Sequence, residues 1–235
     1  MSIYAQGRIE KVITLFLLKI MSKDYIGRIL FFYRIIARKI NMHLERDVSE
    51  RVIEYPWLLK NLNTNEPRIL DVGCSGSYLS HELIARGYDI YGIDLKPYPE
   101  KRSDLKFFRG DVRNTPFPNC YFDQIIAIST IEHIGDKEIK DNGDFIAMKE
   151  LNRILKKSGK MLLSLPYSNE YLHKKGRNYD ESRLKSLILD FQIEKEEYYI
   201  CNGKGKWVKT SRKIMSKITY DHKKPMSVVL LKLRK

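Results

Sequence analysis

Acidic residues and glycines stand directly at the ends of several short apolar runs. Asp71 and Gly73 close the first run, Asp94 closes the second, and Asp111 follows the third. Glycine lets a backbone approach a ligand closely. A carboxylate that ends the second strand of an open α/β sheet can accept hydrogen bonds from both hydroxyls of a ribose, and Asp111 is suited to accept from an adenine amino group. The candidate ligand-contacting residues at these ends are Asp71, Gly73, Gly76, Asp94, Asp111 and Ser129. The first loop has no basic residue to hold a pyrophosphate, which favours a ligand without phosphates.

Two further titratable residues, Glu132 and His133, follow the fourth apolar run, where a second substrate would approach. The ordinary pKa of histidine, about 6.5, lets it take a proton at neutral pH, so His133 is the candidate general base beside Glu132. The alternative is that the pair shapes the loop, with His133 packed and hydrogen-bonded. No ligand spacing supports a metal site built from Glu132, His133 and His173, and we expect no metal.

The elements that must position these residues alternate along the chain. Apolar runs bounded by glycine and polar residues predict strands over 68–73, 88–94, 105–109, 123–129 and 160–165, and helical spacing predicts helices over 51–62, 77–87, 145–155 and 181–189. Two more strands, 192–201 and 226–233, are expected with no helix between them. This alternation predicts an α/β, doubly wound, mostly parallel sheet with helices on both faces.

Several ordered segments resemble the motifs of class I methyltransferases of the type 11 group. The segments are Leu70–Leu79 (motif I), Gly92–Asp94 (motif II), Gly110–Val112, Pro116–Pro118 and Tyr121–Asp123 (motifs III and IV), and Lys149–Gly159 before the fifth strand. The resemblance implies a seven-stranded Rossmann-like sheet and S-adenosylmethionine as cofactor. It places Asp71 and Gly73 at the methionine, Asp94 at the ribose, and Asp111 with Val112 at the adenine. Ser75 and Ser77 stand where the family usually has glycines.

A polar and aromatic cluster after the fifth strand is expected to border the cleft. Its members are Tyr167, Tyr171, His173, Arg177, Tyr179 and Asp180. The segments 131–135, 142–144 and 177–180 follow one another in an order similar to that of the corresponding segments in methyltransferases of glycan and cell-envelope biosynthesis. This resemblance favours a sugar or lipid-linked glycan as methyl acceptor.

The net charge of +14 is concentrated at the two ends of the chain. Residues 1–45 hold eight Lys and Arg against three acidic residues, and residues 201–235 hold eleven against one. Such asymmetry favours an anionic partner, such as nucleic acid or a membrane surface. A solvated basic surface with no partner is the alternative.

Residues 1–50 are predicted to form an amphipathic helical segment, and residues 51–235 a methyltransferase domain. The apolar run 12–20 is too short to cross a bilayer, which takes roughly 20 apolar residues. The N-terminal helices either lie on an anionic membrane surface or cover the cleft of the domain. Three separated cysteines suggest reduced thiols and a cytoplasmic protein, peripheral to the membrane if the helices bind lipid.

Three functions remain open from the sequence. The first is methyl transfer from S-adenosylmethionine to a small molecule, sugar or lipid-linked glycan. The second is RNA methylation, in which the basic C-terminal region with Trp207 and Tyr220 would contact the nucleic acid. The third is a non-catalytic interaction protein that retains the fold. Oligomeric state is not indicated by any pattern.

Overall fold

The computed structural model describes residues 49–63, 68–98, 104–135, 142–173, 176–202, 206–219 and 227–235. The predicted N-terminal segment, 1–50, therefore lies outside the described residues except for 49 and 50. The same holds for its two expected roles at a membrane or over the cleft. None of the described helices is long and apolar enough to cross a bilayer.

Eight strands form one sheet, with a separate two-stranded hairpin. The strands are β1 (Ile69–Val72), β2 (Ile90–Asp94), β3 (Lys106–Arg109), β4 (Phe122–Ile128), β5 (Leu155–Pro166), β6 (Leu172–His173), β7 (Arg177–Asn178), β8 (Gln192–Cys201), β9 (Trp207–Thr210) and β10 (Ser227–Arg234). The sheet order is β3-β2-β1-β4-β5-β10-β8-β9, and β6 pairs with β7. β1 to β5 are parallel, whereas β10 runs antiparallel to β5 and β8. The predicted fold class is confirmed.

Helices cover both faces of the sheet. They are α1 (Arg51–Asn61), α2 (Leu79–Ala85), α3 (Gly143–Ile154), α4 (Glu181–Leu187) and α5 (Arg212–Met215). Side chains alternate along each strand, so Leu70 packs in the core under α3 and α4, while its neighbour Ile69 packs in the core under α1 and α2. Parallel strands are buried on both faces, which explains near-continuous apolar runs such as 125–128.

The region between the last two predicted strands differs from the expectation. It contains β9, which pairs antiparallel with β8, and the single-turn helix α5. The sheet thus has one strand beyond the seven that the resemblance implies. One apolar side chain attaches each of these elements to the domain. Trp207 of β9 packs against the core cluster that contains α1, and Met215 of α5 is fully buried in the cluster that contains α3.

Candidate active site

The turn after β1 is shaped by a glycine that only the tertiary structure explains. Gly73 has φ of +76°, and its N–H donates to the carbonyl of Ile93 in β2 at 2.9 Å. A Cβ added there would lie 2.6 Å from the side chain of Thr130, which follows β4. Both the backbone conformation and the space therefore require glycine. The turns after β1 and β4 meet at the carboxyl edge of the sheet, as predicted.

Asp94 at the end of β2 is held by two main-chain donors. Its Oδ2 accepts from the N–H of Ser75 at 3.0 Å, and its Oδ1 accepts from the N–H of Lys96 at 2.8 Å. An ionised carboxylate has about four acceptor positions. One position on each oxygen therefore remains for a hydroxyl donor, which fits the predicted ribose contact.

Asp71 lies beneath this turn and is almost fully buried. Its Oδ2 accepts from the hydroxyl of Ser80 in α2 at 2.6 Å. Burial raises the pKa of Asp71 to about 7, against the lowering effects of Ser80 and of the Arg51 charge. The carboxyl is thus poised between its two forms near neutral pH.

Asp111 and Val112 follow β3, as predicted, but the carboxylate is already occupied. Arg113 donates from Nε and Nη2 to Oδ2 of Asp111, and from its main-chain N–H to Oδ1. These bonds and the charge of Arg113 outweigh desolvation and keep the pKa of Asp111 below its ordinary value. The side chain of Val112 is buried. An adenine contact to Asp111 would therefore share the carboxylate with Arg113.

Gly76 and Ser129 have different surroundings from each other. Gly76 faces open space, since a Cβ added there would meet no atom within 4 Å. Ser129 has φ of +46°, and both of its polar groups bind protein: its N–H donates to Ser164 Oγ at 2.8 Å, and its hydroxyl donates to Glu54 Oε1 at 2.8 Å. The predicted ligand role of Ser129 would therefore act through the shape of the loop.

Glu54 was missed by the sequence analysis, although α1 brings it to the ends of β4 and β5. Its carboxyl is fully buried and also accepts from Ser164 Oγ at 2.6 Å and from Arg51 Nη1 at 3.0 Å. Burial raises the pKa of Glu54 despite these donors. The signal was present in the spacing, because Glu54 shares the buried stripe of α1 with Trp57 and Leu58.

Glu132 and His133 lie in a single 3₁₀ turn directly after β4 but differ in burial. The Glu132 side chain is 4% exposed, whereas that of His133 is 58% exposed. Oε1 of Glu132 lies 3.9 Å from Nε2 of His133, and Oε2 of Glu132 has no hydrogen-bond partner among the described residues. Burial is the main cause that raises the pKa of Glu132 to about 8, and the charge of Glu54 adds to it.

The cluster expected to border the cleft after β5 is largely buried. Tyr167, Arg177 and Tyr179 are no more than 1% exposed, so the expectation is wrong for these three side chains. Tyr167 and Tyr179 belong to the core cluster that contains α3, and the hydroxyl of Tyr179 donates to Asp144 at 3.1 Å. Asp180 instead caps α4, where its carboxylate accepts from the N–H of Arg183 at 2.7 Å.

Two members of that cluster, Tyr171 and His173, are half-buried. Tyr171 lies beside the guanidinium of Arg183, whose carbon is 4.8 Å from the ring centre. Among the described residues, no three His, Cys, Asp or Glu side chains are grouped to hold a metal ion.

Known proteins are similar to this chain over the region that contains the sequence motifs. Residues 70–163 match the family model described as a methyltransferase domain. A candidate methyltransferase of Encephalitozoon cuniculi is 35% identical over 107 residues, which cover 45% of this chain and 48% of that protein. The ubiquinone biosynthesis O-methyltransferase of Rickettsia akari is 25% identical over 170 residues, covering 63% of this chain and 67% of the relative. The chain thus spans about half to two thirds of the length of these relatives.

A solved structure has a similar fold. It is the 1,6-didemethyltoxoflavin-N1-methyltransferase of Burkholderia thailandensis with bound 1,6-didemethyltoxoflavin and S-adenosylhomocysteine. The TM-score is 0.57 at 12% identity, with 92% of this chain and 91% of that chain covered. At this identity the likeness concerns the fold alone. The family model, which covers residues 70–163, confirms the resemblance indicated by the sequence motifs.

Proposed function

We propose that this chain, which carries a class I S-adenosylmethionine-dependent methyltransferase domain, transfers a methyl group to a small-molecule acceptor. The proposal rests on two features that lie at the same edge of the sheet. One is the turn of Gly73 with the fixed carboxylate of Asp94, and the other is the Glu132–His133 turn after β4. The first suits an adenosine ligand, and the second lies where an acceptor would approach.

The residues of the first feature fit S-adenosylmethionine, which supplies an activated methyl group on a sulfonium. Asp94 would accept from the ribose hydroxyls, and Val112 with Asp111 would contact the adenine. Asp71 and Gly73 would line the methionine end. The turn 73–78 has no basic residue, which fits a ligand that carries no phosphate.

Methyl transfer needs alignment above all, because the carbon is already activated. If the acceptor is a hydroxyl, its proton must also be removed. We assign this role to His133, since its imidazole is exposed enough to reach an acceptor. Oε1 of the buried Glu132 carboxyl lies 3.9 Å from Nε2 of His133 and would help to orient the imidazole.

The charges of the C-terminal region favour a small molecule over RNA. Lys209 lies 2.8 Å from Glu197, Arg234 lies 3.7 Å from Glu194, and Arg212 lies 3.8 Å from Glu196. β8 thus supplies carboxylates to cations that looked unopposed in the sequence. Cations that are already paired contribute less to phosphate binding than free ones.

The names of similar proteins agree with a small acceptor but do not identify it. The Rickettsia akari relative is named for O-methylation in ubiquinone biosynthesis, and the Burkholderia thailandensis structure for N-methylation of 1,6-didemethyltoxoflavin. Sugars and lipid-linked glycans remain within our proposal, on the order of the 131–135, 142–144 and 177–180 segments.

The test uses S-adenosylmethionine labelled in its methyl group, the purified protein and a cell extract. We expect label in low-molecular-weight, glycan or organic-phase material with the native protein, and less label with the Asp94→Ala variant as matched control. Label released by nuclease would replace our proposal with RNA methylation. Cofactor binding in calorimetry with no label in any fraction would indicate the non-catalytic alternative.

A further inference from the structure

A buried guanidinium connects the hairpin β6–β7 to the turn after β4. The side chain of Arg177 in β7 is fully buried. Its Nη1 donates to the main-chain carbonyl of Glu132 at 3.2 Å and to that of Ile134 at 2.6 Å. These two carbonyls flank His133 in the sequence. One guanidinium therefore fixes the main chain on both sides of the candidate base.

Arg177 is in turn held by the beginning of α3. Its Nε lies 3.6 Å from Oδ2 of Asp144, which is also fully buried. The Asp144 carboxylate accepts from Nη2 of Arg183 at 2.8 Å on each oxygen and from the hydroxyl of Tyr179 at 3.1 Å. A buried charge is tolerated only when it is paired and hydrogen-bonded. The Asp144 carboxylate meets this condition, because it accepts on both oxygens from Arg183 and lies beside the guanidinium of Arg177.

The same hairpin also contacts the imidazole of His133 directly. Gly176 has φ of +110°, and a Cβ added there would lie 2.9 Å from Cε1 and 3.0 Å from Nδ1 of His133. The backbone of Gly176 is therefore packed against the ring. The hairpin thus meets His133 twice, through this contact and through the carbonyls held by Arg177.

The geometry points to Arg177 as a positioning residue for methyl transfer. It holds the Glu132–His133 turn in the conformation that presents His133 to the acceptor, and Asp144 holds Arg177. The inference deepens the proposed function and rests on it for the reaction. The conformation of the turn can be measured without any acceptor.

The test compares hydrogen exchange, measured by NMR, in two variants. Arg177→Lys keeps a positive charge near Asp144, but Nζ of lysine lies one bond nearer the main chain than Nη1 of arginine and cannot reach both carbonyls while it pairs with Asp144. The amides of His133 and Ile134 close the turn by donating to Thr130 and Ile131. We expect these two amides to exchange at least about tenfold faster in Arg177→Lys, the effect of losing about one hydrogen bond to a charged group.

The matched control is Arg183→Gln, which removes the two bonds from Nη2 to Asp144 and leaves the two bonds of Arg177 to the turn in place. We expect its His133 and Ile134 amides to exchange as in the native protein, and β1 and β4 amides to be unchanged in both variants. Unchanged exchange at the turn in Arg177→Lys, or an equal acceleration in Arg183→Gln, would overturn the proposal.

Kinetics provide the second readout. We expect kcat for methyl transfer to fall at least about tenfold in Arg177→Lys, with the affinity for S-adenosylmethionine in calorimetry unchanged. A merely structural role would lower both. Failure of the native protein to methylate any fraction of the extract would refute the proposed function, whereas the exchange experiment would still decide whether Arg177 holds the turn.

Discussion

Replacing Glu132 by glutamine should make the protein more stable, and increasingly so as the pH rises. The Glu132 carboxyl is 4% exposed, and Oε2 has no hydrogen-bond partner among the described residues. Burial raises its pKa from about 4.5 to about 8, so the folded state binds the proton more tightly than the unfolded chain. Folding stability is therefore lost as the pH rises from about 4.5 to about 8.

The size of the effect follows from that pKa difference. Each tenfold change in an ionisation constant corresponds to about 1.4 kcal/mol. Between pH 5 and pH 8, ionisation of Glu132 should therefore cost the folded state about 3 to 4 kcal/mol more than the unfolded chain, given the pKa of about 8. This is an upper value, because local opening that admits water would reduce it.

The assay is urea unfolding of the native protein and of Glu132→Gln at several pH values. We expect the free energy of unfolding of the variant, relative to the native protein, to increase by about 3 kcal/mol from pH 5 to pH 8. Titrations of groups that do not interact with Glu132 cancel in this difference. Glu82→Gln is the matched control: its side chain is 40% exposed and pairs with Arg86, and its effect should stay below about 1 kcal/mol. Parallel pH dependences for the native protein and Glu132→Gln would refute the reasoning.

Three further changes test the site. Asp94→Ala should weaken S-adenosylmethionine binding by about 1–3 kcal/mol, the cost of leaving polar groups without their acceptor, and unchanged affinity in calorimetry would contradict the ribose assignment. His133→Ala should slow methyl transfer and leave cofactor affinity intact, whereas full activity would reduce His133 to a packing role. Gly73→Ala should lower the free energy of unfolding by about 1–3 kcal/mol or more, because a side chain is strained at a φ of +76° and the new Cβ would lie 2.6 Å from Thr130. A thermal midpoint equal to that of the native protein would show that the turn can relax.

The sequence determined the fold and the placement of the candidate ligand-contacting residues at one edge of the sheet. Apolar runs and helical spacing are local patterns, and a strand buried on both faces must be apolar whatever its neighbours are. Parallel strands also bring their carboxyl ends to one edge without further information. Asp71, Asp94 and Asp111 could therefore be placed at that edge from their positions after the runs.

Only the tertiary structure decided which polar groups bind each other. Glu54 bonds Ser164, 110 residues away, and Arg177 bonds the carbonyl of Glu132, 45 residues away. Four of the eleven C-terminal cations that suggested RNA lie within 3.9 Å of carboxylates of β8, namely Lys209, Arg212, Lys232 and Arg234. Tyr167, Arg177 and Tyr179, which the sequence placed beside a cleft, are buried. Burial and pairing depend on contacts between distant segments, and the free energy of a charge depends on those contacts more than on its neighbours in the sequence.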